Sequence, residues 1–590
     1  MSDLMKGSEY LVKAADAADI FTPEDFDEEQ RQMRDTTKEL VDNEILPKIE
    51  EIDSPNFALS QEILTQCGEL GLLMTDAPEE YGGLALDKVT SMLIAEEIAH
   101  TGSFSVTFTA HTGIGTLPLV YYGTHEQKEK YLEKLITGEW PAAYCLTEPG
   151  SGSDAIGVAS TAVLSDDKTH YILNGTKQFI TNGSFAKLFT IFVKIDKEHF
   201  TAFLVEKDFE GVSIGAEEKK LGIKGSSTTQ VIMDNVKVPV GNLLGEIGKG
   251  HHIAFNVLNV GRLKLGVCVN GAAKEVLKQT IPYSKERKQF GLPISKFGAI
   301  KEKYADRVAD LYAAESLSYR IAGDMDRAIE PLDKSADDYY ETMLQHVADY
   351  AAECAIAKVY CSDSLREMTD ESVQIFGGYG FTQEYPAERF YRDERINRIF
   401  EGTNEINRLL IPDGILKKAM KGQLPLQAEA MKAIEALMSP SFDMPGEELY
   451  ATEKKVIANA KQIFLVVSGA AVQKFMMDLA KQQELLLAIA DVAIQIYALE
   501  SAVLRAEKNH GKSSENKQQL FDALVTVITF NSLERISTAA KRGAFFAEEG
   551  DTLTMLLSGI RRYSKYDATG LLAAKQFIAA ATLEAEKYPL

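Results

Sequence analysis

The stretch AYCLTEPGSGSD, residues 143–154, marks the point at which the sequence changes from helical to strand-forming patterns. Before it, residues 27–139 place apolar side chains at three- and four-residue steps, as at Ile63, Leu64 and Cys67, which predicts helices. After it, short runs rich in β-branched and aromatic residues alternate with Gly, Asn and Asp, which predicts strands. The stretch itself predicts a strand that enters a loop of small and hydroxyl residues. Such a loop either faces a ligand or is an ordinary Gly/Ser turn.

The regions outside this stretch complete the domain pattern. Strands are predicted at 169–173, 177–181, 188–194, 200–205 and 230–238. Asn174-Gly175 lies between the first two and is the strongest short-range signal for a hairpin. Helical periodicity returns after Gly250, and a break rich in Pro and Gly at 438–446 precedes further helices. We therefore expect an α+β multidomain fold with an N-terminal helical domain (27–140), a middle antiparallel β-domain (141–250), a helical bundle (251–415) and an all-α C-terminal module (416–590).

The composition excludes several classes of protein. With 63 Lys and Arg against 87 Asp and Glu, the net charge is −24, which disfavours binding to nucleic acid. The charge is uneven, because residues 416–590 carry 21 basic and 20 acidic side chains and residues 1–415 carry a net −25. The five cysteines show no metal-ligand spacing, so no metal site is expected. No signal peptide and no long uninterrupted apolar run is found, so we expect a cytoplasmic protein with at most peripheral membrane contact.

Two loops near the predicted bundle suit the binding of a phosphorylated, aromatic ligand. In RKQFG, residues 287–291, a planar guanidinium suited to phosphate stands next to an aromatic side chain suited to a ring system. A second aromatic and glycine pair follows at Phe297. In QIFGGYG, residues 374–380, glycines allow a close approach of the backbone to a ligand. The alternative for both is a solvated loop between helices.

The segment IFEGTN, residues 399–404, contains a candidate catalytic carboxylate. Apolar neighbours flank Glu401, and Gly402 prevents a regular helix until Thr403 or Asn404 caps the next one. A carboxylate in an apolar pocket is a better proton acceptor near neutral pH, because burial disfavours its charged form. The alternative is an ordinary loop glutamate.

Six motifs taken together resemble the acyl-CoA dehydrogenase family. They are YCLTEPGSGSD (144–154), FITNG (179–183), RKQFG with a following FG (287–298), QIFGGYGF (374–381), YRD (391–393) and IFEGTNEINR (399–408). Each motif is weak alone, but all six occur in the family's order and spacing. The chain further resembles the very-long-chain branch, because only the larger members carry an extra helical module like 416–590. The resemblance implies the family fold, FAD as cofactor and a medium- to long-chain fatty acyl-CoA as substrate.

The resemblance also implies roles for individual residues. Those implied to bind FAD, partly across a dimer interface, are Tyr144, Leu146, Thr147, Phe179, Thr181, Arg287, Gln289, Phe290, Phe297, Gln374, Gly377, Gly378, Thr403 and Glu405. Those implied to contact the substrate are Ser153, Asn259, Arg262 and Gly402, with Asn259 and Arg262 at the CoA end. Many members have Trp where this chain has Phe179, and this departure keeps an aromatic face but removes an indole N–H.

Glu401 occupies the position of the catalytic base in the main group of the family. In a minority branch the base lies on the helix around residues 258–263, but this chain has Gly261 where that branch has Glu. The resemblance implies that the Glu401 carboxylate removes the α-proton of the thioester while the flavin takes the β-hydride. It also implies that the Glu401 N–H and a ribityl hydroxyl of FAD bind the thioester oxygen. Burial is expected to raise the pKa of Glu401.

The length of the acyl chain is expected to depend on a helix over residues 96–116, which the resemblance places at the floor of the acyl pocket. Medium-chain members are polar where this chain has Val106 and Ala110, so its cavity is expected to run deeper. Very-long-chain members have Gly where this chain has Ser105 and Thr109, so its cavity is expected to be narrower than theirs.

The resemblance implies an electron-transfer flavoprotein as electron acceptor and a homodimer or tetramer as assembly. Two alternatives stay open at this point. One is an acyl-CoA oxidase, which shares the fold and the base but passes electrons to O₂. The other is a non-catalytic assembly protein that has kept the fold. A DNA-binding relative is disfavoured by the negative charge.

Overall fold

The N-terminal domain consists of short helices, as its periodicity predicts. The computed structural model describes them together with the rest of residues 4–438 and 446–590. The helices are α1 (Glu28–Leu40), α2 (Ile49–Asp53), α3 (Phe57–Glu69), α4 (Lys88–Ile98), α5 (Ser103–Thr109), α6 (Leu117–Tyr122) and α7 (His125–Ile136). Polar side chains start several of them: the Asp27 carboxylate accepts a hydrogen bond from the Gln30 N–H at the start of α1, and Thr124 does the same for Gln127 at α7. These caps satisfy N–H groups that the first helical turn leaves free.

The single helix expected over residues 96–116 is wrong, because the chain breaks it twice. Between α4 and α5, Gly102 adopts φ 57° and ψ −113°, a conformation that glycine takes far more readily than other residues. After α5 the chain forms a π-turn over Ala110–Gly115. A Cβ on Gly115 would lie 3.0 Å from the Cβ of Ala142 in the first strand. The π-turn therefore lies directly against the β-domain.

The middle domain is one sheet of eight strands. They are β1 (Ala142–Cys145), β2 (Thr161–Leu164), β3 (His170–Thr181), β4 (Leu188–Ile195), β5 (His199–Glu206), β6 (Val212–Ile214), β7 (Thr228–Pro239) and β8 (Leu243–Leu244). The strand order is β6-β7-β3-β2-β4-β5-β8, with β1 paired to β4. Most neighbours are antiparallel, as expected, whereas β1 and β2 each run parallel to β4. The sheet is therefore mixed, and β1 enters it from the N-terminal domain.

The hairpin expected at Asn174-Gly175 is wrong, because β3 passes through both residues and pairs with β7 on either side of them. The register shifts between Leu173 and Gly175, which marks a bulge. A Cβ on Gly175 would lie 2.0 Å from the Ser160 Oγ. The glycine is therefore needed for the close approach of a neighbouring segment and does not form a turn.

The bundle contains α8 (Gly250–Glu286), which with 37 residues is the longest helix in the described part of the chain. The other helices of the bundle are α9 (Gly298–Ile329), α10 (Tyr339–Asp349), α11 (Ala351–Phe376), α12 (Pro386–Glu394) and α13 (Asn404–Met420), with a short hairpin of β9 (Lys288–Gln289) and β10 (Leu292–Pro293) between α8 and α9. α8 lies close to two neighbours, since a Cβ on Gly266 would lie 3.2 Å from the backbone of Ala357 in α11 and one on Gly271 would lie 2.0 Å from the Glu96 carbonyl in α4. These contacts pack α8 directly against α11 and α4.

The C-terminal module contains the remaining helices. They are α14 (Leu426–Met438), α15 (Ala451–Phe475), α16 (Gln483–Lys508), α17 (Glu515–Ala547), α18 (Gly550–Tyr563) and α19 (Leu571–Ala585). The break expected at 438–446 lies mostly outside the described residues. Arg505 of α16 is buried, and its guanidinium binds Glu24 near the N-terminus (2.8 Å) and Glu315 of α9 (2.6 Å). A buried cation persists only when it is paired, so these contacts join the module, the bundle and the N-terminal segment.

Two helices of the C-terminal module pass a membrane-span test by length and mean hydropathy. They are Ala451–Lys481, with a mean hydropathy of 1.5, and Gln483–Lys508, with 1.6. In the second, 83% of the most apolar window is buried inside the protein, as in the core helix of a globular domain. The corresponding share for the first is 50%. The sequence predicts no membrane span because it has no long uninterrupted apolar run. Mean hydropathy is a less strict criterion, since it tolerates polar residues within the window.

Candidate active site

The segment that carries Glu401 has a strained backbone. Glu401 and Gly402 adopt φ 57° and 83°, two consecutive left-handed residues. This conformation costs a residue with a Cβ about 1–2 kcal/mol, so surrounding contacts must hold it. Thr403 ends the segment, because its side chain accepts a hydrogen bond from the Ile406 N–H (3.2 Å) and caps α13. The predicted interruption at Gly402 and cap at Thr403 are confirmed.

The Glu401 side chain is half-buried, and one of its two carboxylate oxygens has no hydrogen-bond partner. Its Oε2 atom is fully buried and has no hydrogen bond to any residue of the described chain. A Cβ built on Gly261 of α8 would lie 3.3 Å from this Oε2 and 3.3 Å from Cγ2 of Ile114, so glycine leaves the room that the carboxylate needs. Burial raises the pKa of Glu401, and the cations of Arg262 and Lys358 oppose the rise. A buried carboxylate with a raised pKa and an uncommitted oxygen has the properties of a general base.

Three polar side chains hold the backbone of this segment. The Arg262 Nε donates to the Glu401 carbonyl at 3.3 Å, and the Asn407 Nδ2 donates to the carbonyls of Glu401 (3.3 Å) and Gly402 (2.8 Å). The Lys358 Nζ donates to the Gly402 carbonyl at 2.8 Å. Burial lowers the pKa of Lys358 to about 7, partly offset by the Glu401 carboxylate. The strained peptide is therefore fixed from α8, α11 and α13.

Sequence patterns alone do not single out Lys358 or Asn407 as site residues. Lys358 does carry a signal, because it stands between Ala357 and Val359 on a helix that is apolar around it. A lysine is rarely fully buried unless it is paired, so such a lysine predicts a polar partner nearby. The partner itself, a backbone carbonyl from another helix end, cannot be read from the sequence.

Asn259 and Arg262, predicted as contacts to the CoA end of the substrate, lie next to Glu401. Arg262 is only 7% exposed, and its Nη1 donates to the Asn259 Oδ1 at 3.0 Å. Burial lowers the pKa of Arg262, and the Glu401 carboxylate opposes that shift. Arg262 therefore binds the backbone of Glu401 while Asn259 binds Arg262, and the contact with the CoA end stays a prediction.

The sheet brings the predicted FAD-binding residues at the end of β1 next to those of β3, and together they form a first group. The Gln178 N–H donates to the Thr147 carbonyl at 2.9 Å, which joins the end of β1 to β3. The buried Lys177 reinforces this junction, since its Nζ donates to the Leu146 carbonyl (3.3 Å) and to the Glu148 carboxylate (2.6 Å). Tyr144, Leu146 and Thr147 therefore lie beside Phe179 and Thr181. Tyr144 is also close enough to Glu401 for that carboxylate to contribute to the raised pKa of its phenol, which is due mainly to burial.

Phe179 has an unusual position at the edge of this group. It adopts φ 57° at a register shift of β3, and its side chain is 62% exposed. A large aromatic residue in the left-handed region is uncommon and is usually associated with a functional constraint. The exposed ring therefore lies at a bulge of β3, and Ser153, in the loop after β1, is exposed as well.

A second group of predicted residues forms at the β9–β10 hairpin and the end of α11. The Arg287 guanidinium lies 5.5 Å from the centre of the Tyr379 ring, and Tyr283 stacks on Phe376 at 4.1 Å. These contacts hold RKQFG beside QIFGGYGF. The predicted FAD-binding residues of this group are Arg287, Gln289, Phe290, Phe297, Gln374, Gly377 and Gly378. Phe290 is 94% exposed, an exposure that leaves its apolar surface open to a ligand or another chain.

The two groups fit FAD, the cofactor expected from the resemblance. An isoalloxazine ring needs an open aromatic or apolar surface, which the exposed ring of Phe179 supplies. A diphosphate needs glycines and a cation. Gly377 and Gly378 have nothing within 4 Å of a built Cβ, and Arg287 lies beside them. In residues 4–438 and 446–590, no group of three or more His, Cys, Asp or Glu side chains is placed to hold a metal ion.

The side chains expected to line the acyl pocket are partly accessible and weakly polar. Ser105, Val106 and Thr109 form a partly exposed stripe on α5. The hydroxyls of Ser105 and Thr109 both donate at 2.7 Å to carbonyls of their own helix, at Gly102 and Ser105. Because these hydroxyls are satisfied, the wall that they form does not require a polar ligand.

Comparison with known proteins finds matches along most of the chain. Family models described as Acyl-CoA dehydrogenase, N-terminal domain, middle domain and C-terminal domain match residues 27–139, 143–236 and 248–416. A further model, also described as Acyl-CoA dehydrogenase, C-terminal domain, matches residues 459–562. The helical module after the bundle is therefore part of the same pattern.

Individual relatives match over most of their length. A probable acyl-CoA dehydrogenase of Bacillus subtilis (strain 168) is 46% identical over 592 residues, covering 100% of this chain and 99% of the relative. A mitochondrial very long-chain specific acyl-CoA dehydrogenase of Rattus norvegicus is 36% identical over 513 residues, covering 80% of this chain and 74% of the relative. A crystal structure of an acyl-CoA dehydrogenase complexed with FAD from Bacillus anthracis has a TM-score of 0.96 and 48% identity, covering 99% of this chain and 100% of that chain. The predicted resemblance, fold class and cofactor are confirmed by these matches.

Replacing Lys358 is expected to raise the pKa of Glu401 further. Lys358→Gln removes one of the two cations that oppose the effect of burial, so we expect the pKa of Glu401 to rise further. Infrared difference spectroscopy of the carboxyl stretch during a pH titration measures this pKa directly. The matched control is Lys274→Gln, which removes a lysine of α8 that pairs with Glu96 and Glu315. It is expected to leave the titration of Glu401 unchanged. An unchanged Glu401 titration in Lys358→Gln would contradict the assigned role.

Proposed function

This chain belongs to the acyl-CoA dehydrogenase family and is an FAD-dependent oxidoreductase, and on that premise we propose that it dehydrogenates medium- to long-chain fatty acyl-CoA to trans-2-enoyl-CoA in fatty acid β-oxidation. The observation that carries the proposal is the Glu401 carboxylate, buried and without a partner on its Oε2, beside the residues that fit a flavin. Its raised pKa supports the same role, because a base is most effective when its pKa approaches the working pH.

In the proposed reaction Glu401 accepts the proton from the α-carbon of the thioester. Loss of that proton places negative charge on the thioester oxygen, which requires hydrogen-bond donors. We assign the backbone N–H of Glu401 to this oxygen, so that one residue supplies both the base and a donor. The chemistry that FAD supplies when bound is acceptance of a hydride from the β-carbon. The Oε2 of this carboxylate is buried beside Gly261, which limits the access of water to that oxygen.

Arg262, Asn407 and Lys358 hold the backbone of the base in position for proton transfer from the substrate. They bind the carbonyls of the two left-handed residues, so the backbone that carries the carboxylate cannot move without breaking these hydrogen bonds. The cations also favour the ionised form, which keeps part of the carboxylate deprotonated near neutral pH. Holding a reacting group in place in this way lowers the entropic part of the barrier.

We propose a homodimer as the functional assembly. Phe290 on the β9–β10 hairpin is 94% exposed and Phe381 after α11 is 87% exposed, and both lie in motifs implied to bind FAD. Exposed aromatic side chains of this kind suit burial by a second copy of the chain. The acceptor proposed for the electrons is an electron-transfer flavoprotein, and the location proposed is the cytoplasm. Re-oxidation of the reduced protein in air distinguishes the two enzyme classes: slow re-oxidation is expected for the dehydrogenase, and rapid re-oxidation would indicate an oxidase.

Replacing the base is expected to remove turnover and to keep the cofactor. Glu401→Gln preserves the shape of the side chain but cannot accept the α-proton, so we expect turnover to fall roughly 10²-fold or more. Asp413→Asn changes an exposed carboxylate on the helix that follows and is the matched control. The measurement is the rate of flavin bleaching by acyl-CoA without oxygen, together with the FAD content of each variant. A rate of flavin bleaching in Glu401→Gln close to that of the wild-type protein would disprove the assignment.

The acyl pocket is expected to prefer chains longer than C6. Val106 and Ala110 add apolar wall, and the satisfied hydroxyls of Ser105 and Thr109 add no need for a polar partner. Each buried CH₂ is worth about 0.8 kcal/mol, so affinity should rise with length until the pocket is full. Anaerobic titration of the protein with acyl-CoAs from C4 to C18 measures this preference. A maximum at C4–C6 would refute it.

A further inference from the structure

The C-terminal module lies far along the chain from Glu401, yet a continuous series of direct hydrogen bonds joins the two. The series begins at Lys358, whose Nζ donates to the Gly402 carbonyl at 2.8 Å and to the Asn404 Oδ1 at 2.6 Å. Lys358 and Asn404 are both buried. One ammonium group therefore fixes the strained peptide after Glu401 and the first residue of α13 at the same time.

The next step leads from Asn404 to the surface of the bundle. The Asn404 Nδ2 donates to the Ser362 Oγ and to the Asp363 Oδ1, both at 3.0 Å. The second oxygen of Asp363 accepts from the Arg408 Nη2 at 2.8 Å. Since the amide of Asn404 uses its oxygen for Lys358 and its nitrogen for Asp363, its orientation depends on both partners.

Arg408 carries the series out of the bundle and into the C-terminal module. Its Nε donates to the Asp491 Oδ1 of α16 at 2.7 Å. The other oxygen of Asp491 accepts from the Arg542 Nη2 of α17 at 2.9 Å. Asp491 therefore lies between two arginines, and its single negative charge reduces the repulsion between them. Without its charge, Arg542 would repel Arg408 and weaken the hold of Arg408 on Asp363.

These last links line a crevice of about 440 Å³ between the bundle and the module, so they are partly exposed and are not a sealed core. The same crevice contains a second ion pair that joins the two parts. Arg535 of α17 binds Asp310 of α9 through two parallel hydrogen bonds of 2.8 and 3.0 Å. Asp310 pairs further with Arg307 on its own helix. This second pair fastens the module to α9 and does not lead toward Glu401, which makes it a natural comparison.

We propose that Asp491 of the C-terminal module is a positioning residue for the catalytic base, acting through Arg408, Asp363, Asn404 and Lys358. This inference rests on the proposed dehydrogenation, in which Glu401 is the base. The module thereby contributes to proton abstraction without contacting the substrate. Removing the Asp491 charge leaves the Lys358 ammonium less well placed beside Glu401, so the ionised form of the base loses part of its support.

The test compares Asp491→Asn with Arg535→Gln in the full-length holoenzyme. The probe is an acyl-CoA with sulfur in place of the β-carbon, which has an acidic α-proton but no β-hydride to give. Exchange of its α-protons with deuterium in heavy water, followed by NMR, reports proton abstraction alone. Asp491→Asn is expected to slow this exchange several-fold, to move its pH profile to higher pH and to leave binding of the probe unchanged. Asp491→Glu, which keeps the charge, restores most of the rate.

Arg535→Gln is expected to lower the thermal unfolding temperature and to leave the pH profile where it is. If the pH profile of α-proton exchange is the same in Asp491→Asn as in Arg535→Gln, the proposal is overturned. Asp491 would then only hold the module against the bundle. Hydrogen–deuterium exchange of the backbone over residues 399–404 gives a readout that needs no substrate, and Asp491→Asn should accelerate it where Arg535→Gln does not. If the wild-type protein exchanges no α-proton while this backbone readout responds, the proposed function fails and the positioning relation stands.

Discussion

A single carboxylate taken out of water sets the requirements for the rest of the site. Glu401 must be buried to become a strong proton acceptor, but burial also favours its protonated, inactive form. The structure meets both demands by placing Arg262 and Lys358 close to it while leaving its Oε2 without a hydrogen bond. The same cations bind the backbone of the segment, so electrostatic support and positional support come from the same groups.

This requirement explains features that are distant in sequence. Gly261 leaves room for the carboxylate on α8, and the left-handed backbone at Glu401 and Gly402 is held by side chains from three helices. Strain of this kind persists where the surroundings over-determine it. The C-terminal module then holds the outermost of these contacts through Asp491, which gives the additional helices a role close to the chemistry.

The sequence predicts the order of helical and strand regions and the cap at Thr403, because these depend on local periodicity and capping. The role of Glu401 is predicted only by the resemblance to the family, since the local pattern alone also fits an ordinary loop glutamate. The sequence misleads at Asn174-Gly175, where a glycine needed for a close approach of Ser160 has the same local pattern as a turn. It also misses the break at Gly102 and the partners of Lys358, because both depend on packing between segments far apart in the chain. Burial, hydrogen-bond partners and pKa shifts are properties of the assembled fold.

The central claim is that Glu401 removes the α-proton while the β-hydride leaves, and isotopic substitution at the two carbons tests it most directly. Wild-type protein is mixed without oxygen with a long-chain acyl-CoA that carries deuterium at the α-carbon or at the β-carbon, and bleaching of the flavin is followed by stopped flow. We predict that each substitution slows bleaching several-fold, because both bonds break as the flavin is reduced. Bleaching that is insensitive to α-deuterium, or its absence with any acyl-CoA, would contradict the account.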